Sequence, residues 1–297
     1  MSERPLSIVR IAGVPEPFNL PWMLGLERRA FVRAGLEVKW RTVPQGTGAM
    51  CTLLQQEEVD MAVLVTEGAV RGIAEGGSFR IVGSLVDTPL TWGVHVPAGS
   101  LPGGTEQFST MPYAISRIGS GSHVMALVHA HRLGRTLTEK DLVLVNDLKG
   151  AVDLFKSGRK VTFLWEKAIT SPLVRSGAWQ RVEDLSSPWP GFVIVARNEF
   201  LREHDTQVVR MLRVFRDQAK GFMEKKAGPE MVAQRYGLEL SEAQEWYRST
   251  RWSVQDDGLI PGLATIIGEL HSAGILERDL AVEDLVDRAF VHPSRGR

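Results

Sequence analysis

Ala114-Ile115-Ser116-Arg117-Ile118-Gly119-Ser120-Gly121-Ser122-His123-Val124-Met125-Ala126 is the stretch on which the reading of this chain turns. Residues up to Ile118 read as a short strand, Gly119 to Ser122 as a turn, and the rest as a helix running to about Leu133. Such a junction points free backbone N–H groups and the positive end of a helix dipole at one place. Ser120 and Ser122 add hydroxyls there, and glycine lets a ligand approach the backbone closely. Trp40 to Met50 repeats the arrangement as strand, Gly46-Thr47-Gly48 turn and helix start. The organising expectation is that the two turns face each other across one cleft.

Composition limits what else the chain does. Its 297 residues suit one large domain or two lobes. Lys plus Arg equals Asp plus Glu at 35 each, so no net charge draws nucleic acid or an acidic membrane from a distance. One cysteine, Cys51, excludes an intrachain disulfide and a multi-cysteine metal site. No run approaches the roughly 20 apolar residues that span a bilayer. The N-terminus shows no basic segment followed by an apolar leader, so the sequence as written reads as cytoplasmic. A chain from which a leader had been removed would look the same and would be extracytoplasmic.

Outward from the turns, strands and helices alternate. Leu6 to Ala12, Leu36 to Val43 and Val59 to Val65 read as strands, with helices over 21–33, 49–56 and up to about Glu75 between and after them. Phe79 to Val86 and Trp92 to Val96 read as two further strands, followed by a Pro/Gly-rich passage to Gly104. A second unit follows, with strands at 114–118, 142–145 and 160–166 and a helix around 148–156. Trp189 to Ala196 reads as a returning strand, and helices at 200–223, 229–236, 241–250, 259–273 and 282–290 complete the chain. The expected fold is α/β with two lobes: residues 1–94 and 194–297 form the first, residues 95–193 the second, and the crossovers near 93–96 and 192–196 act as a hinge.

Ligands of open α/β sheets sit beyond the carboxyl ends of strands. That rule selects Glu16, Glu67 and Glu166, each following a strand. Their carboxylates suit a ligand with amine or N–H donors, such as an aminopyrimidine, better than a sulfonate. Solvated loop carboxylates and helix N-terminal charges are the bland alternative. Trp22, Trp92 and Trp165 are candidate stacking platforms or plain core residues. His123 beside the turn is a ligand contact or an ordinary histidine.

Other chemistries fit poorly. Neither turn carries a Walker lysine, and Gly46-Thr47-Gly48 lacks the spacing of a dinucleotide site. His129 and His131 are two apart and point to different sides of a helix. Cys51, early in the helix after Gly48, is the one enzymatic cue, since a helix dipole lowers a thiol pKa, although a lone cysteine is usually a small buried apolar group.

The chain resembles the type 2 periplasmic-binding-protein superfamily, in the branch of sulfonate- and nitrate-binding proteins and NMT1-like thiamine-pyrimidine precursor proteins. Within it the resemblance points to the group typified by a Candida protein and its bacterial relatives. Ala30 to Val38 resembles the branch's helix-to-strand segment, Gln45 to Gly48 its first binding loop and Glu57 to Ala62 the following strand. Gly119 to Ser122 resembles its second-lobe loop, Gly158 to Glu166 its late Trp-Glu segment, and Gly274 to Phe290 its ending. The chain departs in having Gln56 and Glu57 where a glycine is usual, and no aspartate in Gly158-Arg159-Lys160-Val161.

The resemblance implies a small-molecule binding protein that closes a cleft, as substrate-binding components of ABC transporters do, with an ABC permease as partner. The expected contacts are Pro15, Glu16 and Asn19 from the first loop, Gln45, Gly46, Thr47 and Gly48 from the second, and Thr66 and Glu67 from the third. Across the cleft they are Ser120, Gly121, Ser122 and His123, with Trp165 and Glu166. No catalytic residue, metal or cofactor is expected. A thiol-dependent cytoplasmic enzyme at Cys51 and a ligand sensor stand as alternatives.

Overall fold

The computed structural model describes residues 6–101, 110–256, 258–272, 274–276 and 279–291. The far end of the Pro/Gly-rich passage and Ala273 lie outside them.

β1 (Ser7–Gly13), β2 (Leu36–Thr42) and β3 (Met61–Val65) pair in parallel in the order β2-β1-β3. β3 is buried along its whole length, as its unbroken apolar sequence requires. At the other end β5 (Tyr113–Ile115), β6 (Leu142–Leu144) and β7 (Thr162–Glu166) form a second parallel set in the order β7-β5-β6. Two 19-residue strands, β4 (Phe79–Pro97) and β8 (Trp179–Arg197), run antiparallel between the sets and join all eight strands in one sheet. β8 pairs with β3 through Phe192–Ala196, and β4 pairs with β7 through Trp92–His95.

The β4–β8 ribbon is irregular in its middle, where Pro89 lies opposite Pro190 amid successive register shifts. Proline has no N–H to give a ladder, so two facing prolines interrupt the pairing. Ser187 repairs part of it by accepting the Leu90 N–H at 3.2 Å and donating to the Trp189 carbonyl. Sequence alone suggests two strands, 79–86 and 92–96, within β4 and starts the returning strand only at Trp189, ten residues into β8. The polar run Gln180 to Ser187 carries no periodic apolar signal, and cross-strand hydrogen bonding alone makes it a strand.

Helices cover the faces. After the first strands come α1 (Leu20–Glu27), α2 (Ala30–Arg33), α3 (Thr47–Gln55) and α4 (Thr66–Ala74). The expected single helix over 21–33 breaks at Arg29, whose φ is 55°. α5 (Gly121–Arg132), α6 (Leu148–Lys156) and α7 (Lys167–Arg175) follow strands β5 to β7. α7 was not anticipated from sequence, because Pro172 sits inside it. α8 (Asn198–Met223), α9 (Gly228–Tyr236), α10 (Leu240–Ser249), α11 (Leu259–Ser272) and the short α12 (Val282–Leu285) complete the chain. The last helix stops well before Phe290, because Val286 bridges to Ile81.

α8 buries Val208, Met211, Leu212 and Phe215 at helical spacing. Trp22 of α1 stacks between Phe31 and Phe215, at centroid distances of 5.6 and 4.8 Å, and is core rather than a ligand platform. The loop after β1 is tied down twice. The Trp252 indole donates to the Phe18 carbonyl at 2.7 Å, and the Asn19 amide donates to the Val14 carbonyl at 2.9 Å. These bonds hold Glu16 in place.

Candidate functional site

The two glycine turns meet. Gly46 opens α3 at φ 81°, ψ −163°, a conformation open essentially to glycine alone. Ser120 caps α5: its Oγ accepts the His123 N–H at 3.2 Å and donates to the Arg117 carbonyl at 2.7 Å. A Cβ placed on Gly48 would stand 3.7 Å from the Ser120 nitrogen, so the turns face each other across a gap that one added carbon would close. A Cβ on Gly121 would stand 2.8 Å from Val65 Cγ2 and 3.1 Å from the Trp92 ring. The hydroxyls around the turns are largely used by the protein. Thr47 accepts the Val65 N–H, and Ser122 accepts the Ser116 N–H and lies 3.1 Å from the Ser116 and Ser120 hydroxyls.

Behind the turns lies a cavity of about 430 Å³, its open mouth included. Of the sequence-selected residues, Glu16, Gly46, Thr47, Ser120, Gly121, Ser122, Trp165 and Glu166 line it together. Val14, Val65, Leu90 and Phe192 add apolar walls that no motif singled out, and Ser116 adds a hydroxyl. Trp92, raised in the sequence reading only as a stacking candidate, also lines it. Trp165 is half-buried and stacks on Phe163 at 5.4 Å, which leaves its other face for the cavity.

The remaining candidates sit around the cavity. Pro15 is exposed, and Asn19 is spent on the loop bond to Val14. Gln45 offers its carbonyl to Arg117 at 3.4 Å, and Gly48 faces the opposing turn. Thr66 donates to the Pro190 carbonyl at 2.5 Å, and Glu67 accepts the Trp189 indole N–H at 2.9 Å. Thr66 and Glu67 thus brace the irregular middle of the ribbon. His123 accepts through Nδ1 from the Gly119 N–H and from Arg71, both at 3.0 Å. Burial and the Arg71 charge hold its pKa down at about 4, so at neutral pH it is an uncharged strut.

Charge in the cavity is acidic. Burial, with Glu166 nearby, pushes Glu16 up to about 8. Burial pushes Glu166 up to about 7, opposed by the backbone N–H groups at the start of α7, where its Oε2 accepts from Ile169 at 2.7 Å. Among the described residues no lysine or arginine lines the cavity, so a proton or a ligand must neutralise these carboxylates. Burial pushes Glu67 up to about 7 as well, with one oxygen left unpartnered.

Cys51 departs from the expectation of a lowered thiol pKa. It lies in α3 against α4, where a Cβ on Gly72 would stand 3.1 Å from its sulfur. Burial and Glu75 push the thiol up to about 12, since desolvation outweighs the helix dipole. It does not line the cavity, and His123 is engaged elsewhere. His129 lies between the Tyr113 hydroxyl at 2.7 Å and Glu183 at 3.2 Å. Among the described residues no cluster of three metal-ligating side chains forms, and no helix is long and apolar enough to cross a membrane.

Two parallel strand sets joined by a long antiparallel ribbon, with a cavity between them, is an arrangement shared with known structures. Residues 103–185 match the family model of Ca3427-like PBP, a periplasmic binding protein group. The Candida albicans CA3427 gene product, described as having the generic periplasmic binding protein fold, superposes with TM-score 0.87 at 21% identity over 95% of this chain and 96% of that one. This chain has the periplasmic-binding-protein fold. The alkanesulfonate-binding protein SsuA from Xanthomonas axonopodis pv. citri, bound to MOPS, shares that fold at TM-score 0.77 and 15% identity over 96% of this chain and 99% of SsuA. The nitrate-binding protein NrtA from Synechocystis gives TM-score 0.71 at 13% identity over 92% and 83% of the two chains. No curated protein sequence matches this chain.

Proposed function

We propose that the protein is a small-molecule binding protein whose cleft closes on a flat, nitrogen-bearing ligand. The observation that carries this is the pair Glu16 and Glu166, facing one aromatic cavity with no cation among its described lining residues. An amine or ring N–H supplies the donors those carboxylates lack, and Trp92, Trp165 and Phe192 supply apolar faces for a planar ring. An aminopyrimidine combines both properties. A sulfonate or nitrate, the ligand class in the names of two structural neighbours, would bring a second negative charge to this pair wherever either carboxyl is ionised, and would find the turn hydroxyls already engaged. Thermal shift and calorimetry with a bare aminopyrimidine and with methanesulfonate discriminate: stabilisation by the sulfonate alone would reverse the assignment.

Closure runs between the halves anticipated as residues 1–94 with 194–297, and 95–193, pivoting where Pro89 faces Pro190. Contacts already cross on both rims. Arg71 reaches His123 on one side, and on the other Arg175 of α7 pairs with Glu242 of α10 while Lys167 lies 3.7 Å from Glu245. The Arg175 side chain is 41% exposed, so Arg175→Ala is expected to weaken probe binding only about twofold to fivefold. The loss should shrink further at high salt; a loss of a hundredfold would mean that this rim carries the binding itself.

Delivery to an ABC permease is the transport context the fold supports, and a sensor handing closure to another partner uses the same motion. The thiol-dependent enzyme has little support, given the raised thiol pKa. Cys51→Ser is expected to leave probe affinity unchanged and to cost about 1 kcal/mol of stability. Loss of a turnover activity with binding intact would restore the enzymatic reading.

A further inference from the structure

A second cavity, of about 710 Å³ with its open mouth, adjoins the first between Thr88–Thr91 of β4, the start of α7 and one face of α10. Leu90 and Glu166 line both, so the Glu166 carboxyl stands at the partition. The outer cavity differs in chemistry. Phe18, Leu90 and Trp246, each at most 5% exposed, give it an apolar floor. Glu242, paired with Arg175, and Glu245 stand on its α10 wall, and the one lysine among its described lining residues, Lys167, is held by Asp184 at 2.9 Å.

We propose that the cleft takes a two-part ligand, a flat nitrogen-bearing ring in the inner cavity and an aliphatic arm ending in an amine in the outer one. This rests on the ring assignment above and extends it to the substrate class. The apolar floor suits a hydrocarbon stem, which gains by leaving water. The end of the stem then meets Glu245, Glu242 beside it being held by Arg175. An ammonium there adds a charge-assisted hydrogen bond, whereas an anionic arm would meet the Glu245 carboxylate and a lysine already engaged. Glu245 is held only loosely, 3.7 Å from Lys167 with its side chain 71% exposed, so it is free to turn to the arm. Glu166, reachable from both cavities, would accept from the ring on one side and from the root of the arm on the other.

Calorimetry tests this with two probes, a bare aminopyrimidine and the same ring carrying an aminopropyl chain. The arm is expected to tighten binding about tenfold, the gain of a short buried stem less the freezing of its rotors. Ser171→Trp, which fills the outer cavity from the half-buried side of α7, should abolish that gain and spare the bare ring. Glu245→Gln should remove most of the gain while both proteins keep the wild-type melting temperature. Equal binding of the two probes by the wild-type protein, or a gain that survives Ser171→Trp, overturns the two-part ligand and leaves the ring assignment standing. Failure of both probes to bind overturns the two together.

Discussion

Gly121→Val is expected to cost the cleft between one and two orders of magnitude in ligand affinity while leaving the fold standing. Even a bare Cβ at this position would lie 2.8 Å from Val65 and 3.1 Å from Trp92, and valine adds two methyl groups. Overpacking of that kind costs about 1–3 kcal/mol, which corresponds to roughly 5-fold to 150-fold in an equilibrium constant. The clash is peculiar in where it falls. Gly121 begins α5, among the second strand set, whereas Val65 ends β3 in the first. The strain is therefore relieved by parting the two halves at the Pro89–Pro190 irregularity, not by disrupting either core. Small-angle scattering should show a larger radius of gyration than wild type, and the melting temperature should change little. A collapse in melting temperature with unchanged dimensions would mean that the halves cannot move and that the cavity is a fixed one.

The second large effect concerns pH. Glu16 and Glu166 have folded pKa values of about 8 and about 7, above the 4.5 of a free carboxyl. Between those limits the folded protein holds more protons than the unfolded chain, so stability falls as pH rises. Their contribution is whole below the unfolded value and is lost as pH rises through about 7 and about 8. The ligand-free protein should therefore melt several degrees lower at pH 8 than at pH 5. Glu16→Gln with Glu166→Gln should flatten the profile. The slope that remains belongs to Glu67, whose raised value has the same sign, and Glu67→Gln separates it. Lys167 beside Glu166 and Tyr236 near Glu16 are the other titratable neighbours, and burial pushes the tyrosine up to about 12, outside this window. A permanently cationic aminopyrimidine takes the place of the proton, so its binding should tighten as pH rises from about 6 to about 8. Weaker binding at higher pH would mean that the carboxyls serve the ligand as donors in their protonated form.

Much of the candidate cavity's lining was legible one residue at a time. Gly46, Ser120 and Gly121 announce themselves because a strand-to-helix turn that bares backbone N–H groups needs small or capping residues. Glu16 and Glu166 were reachable through the rule that ligands lie beyond strand ends. The same rule also selected Glu67, which the fold spends on Trp189. Nothing local separates them: each carboxylate follows a strand, and only the packing of α4 on the ribbon decides that one of them faces an indole. Val14, Leu90 and Phe192 carried no signal at all, since an apolar residue lining a cavity and one filling a core look alike in sequence.

The turn at Gly119–Ser122 and its counterpart at Gly46–Gly48 marks the boundary between what sequence and structure each decide. The strand–turn–helix conformation of both, and with it the α/β class, follows from local stereochemistry and apolar periodicity, which are written into neighbouring residues. That the turns come to face each other, and that the carboxyls of Glu16 and Glu166 share one cavity behind them, depend on residues distant in the chain. The single sheet is of the same kind. The ribbon exists because two 19-residue strands, β4 and β8, pair with each other through several register shifts, including a polar stretch with no strand signal of its own. Long-range hydrogen bonding and desolvation are properties of the folded arrangement, and the charge state of Glu16, His123 and Cys51 could be read only there.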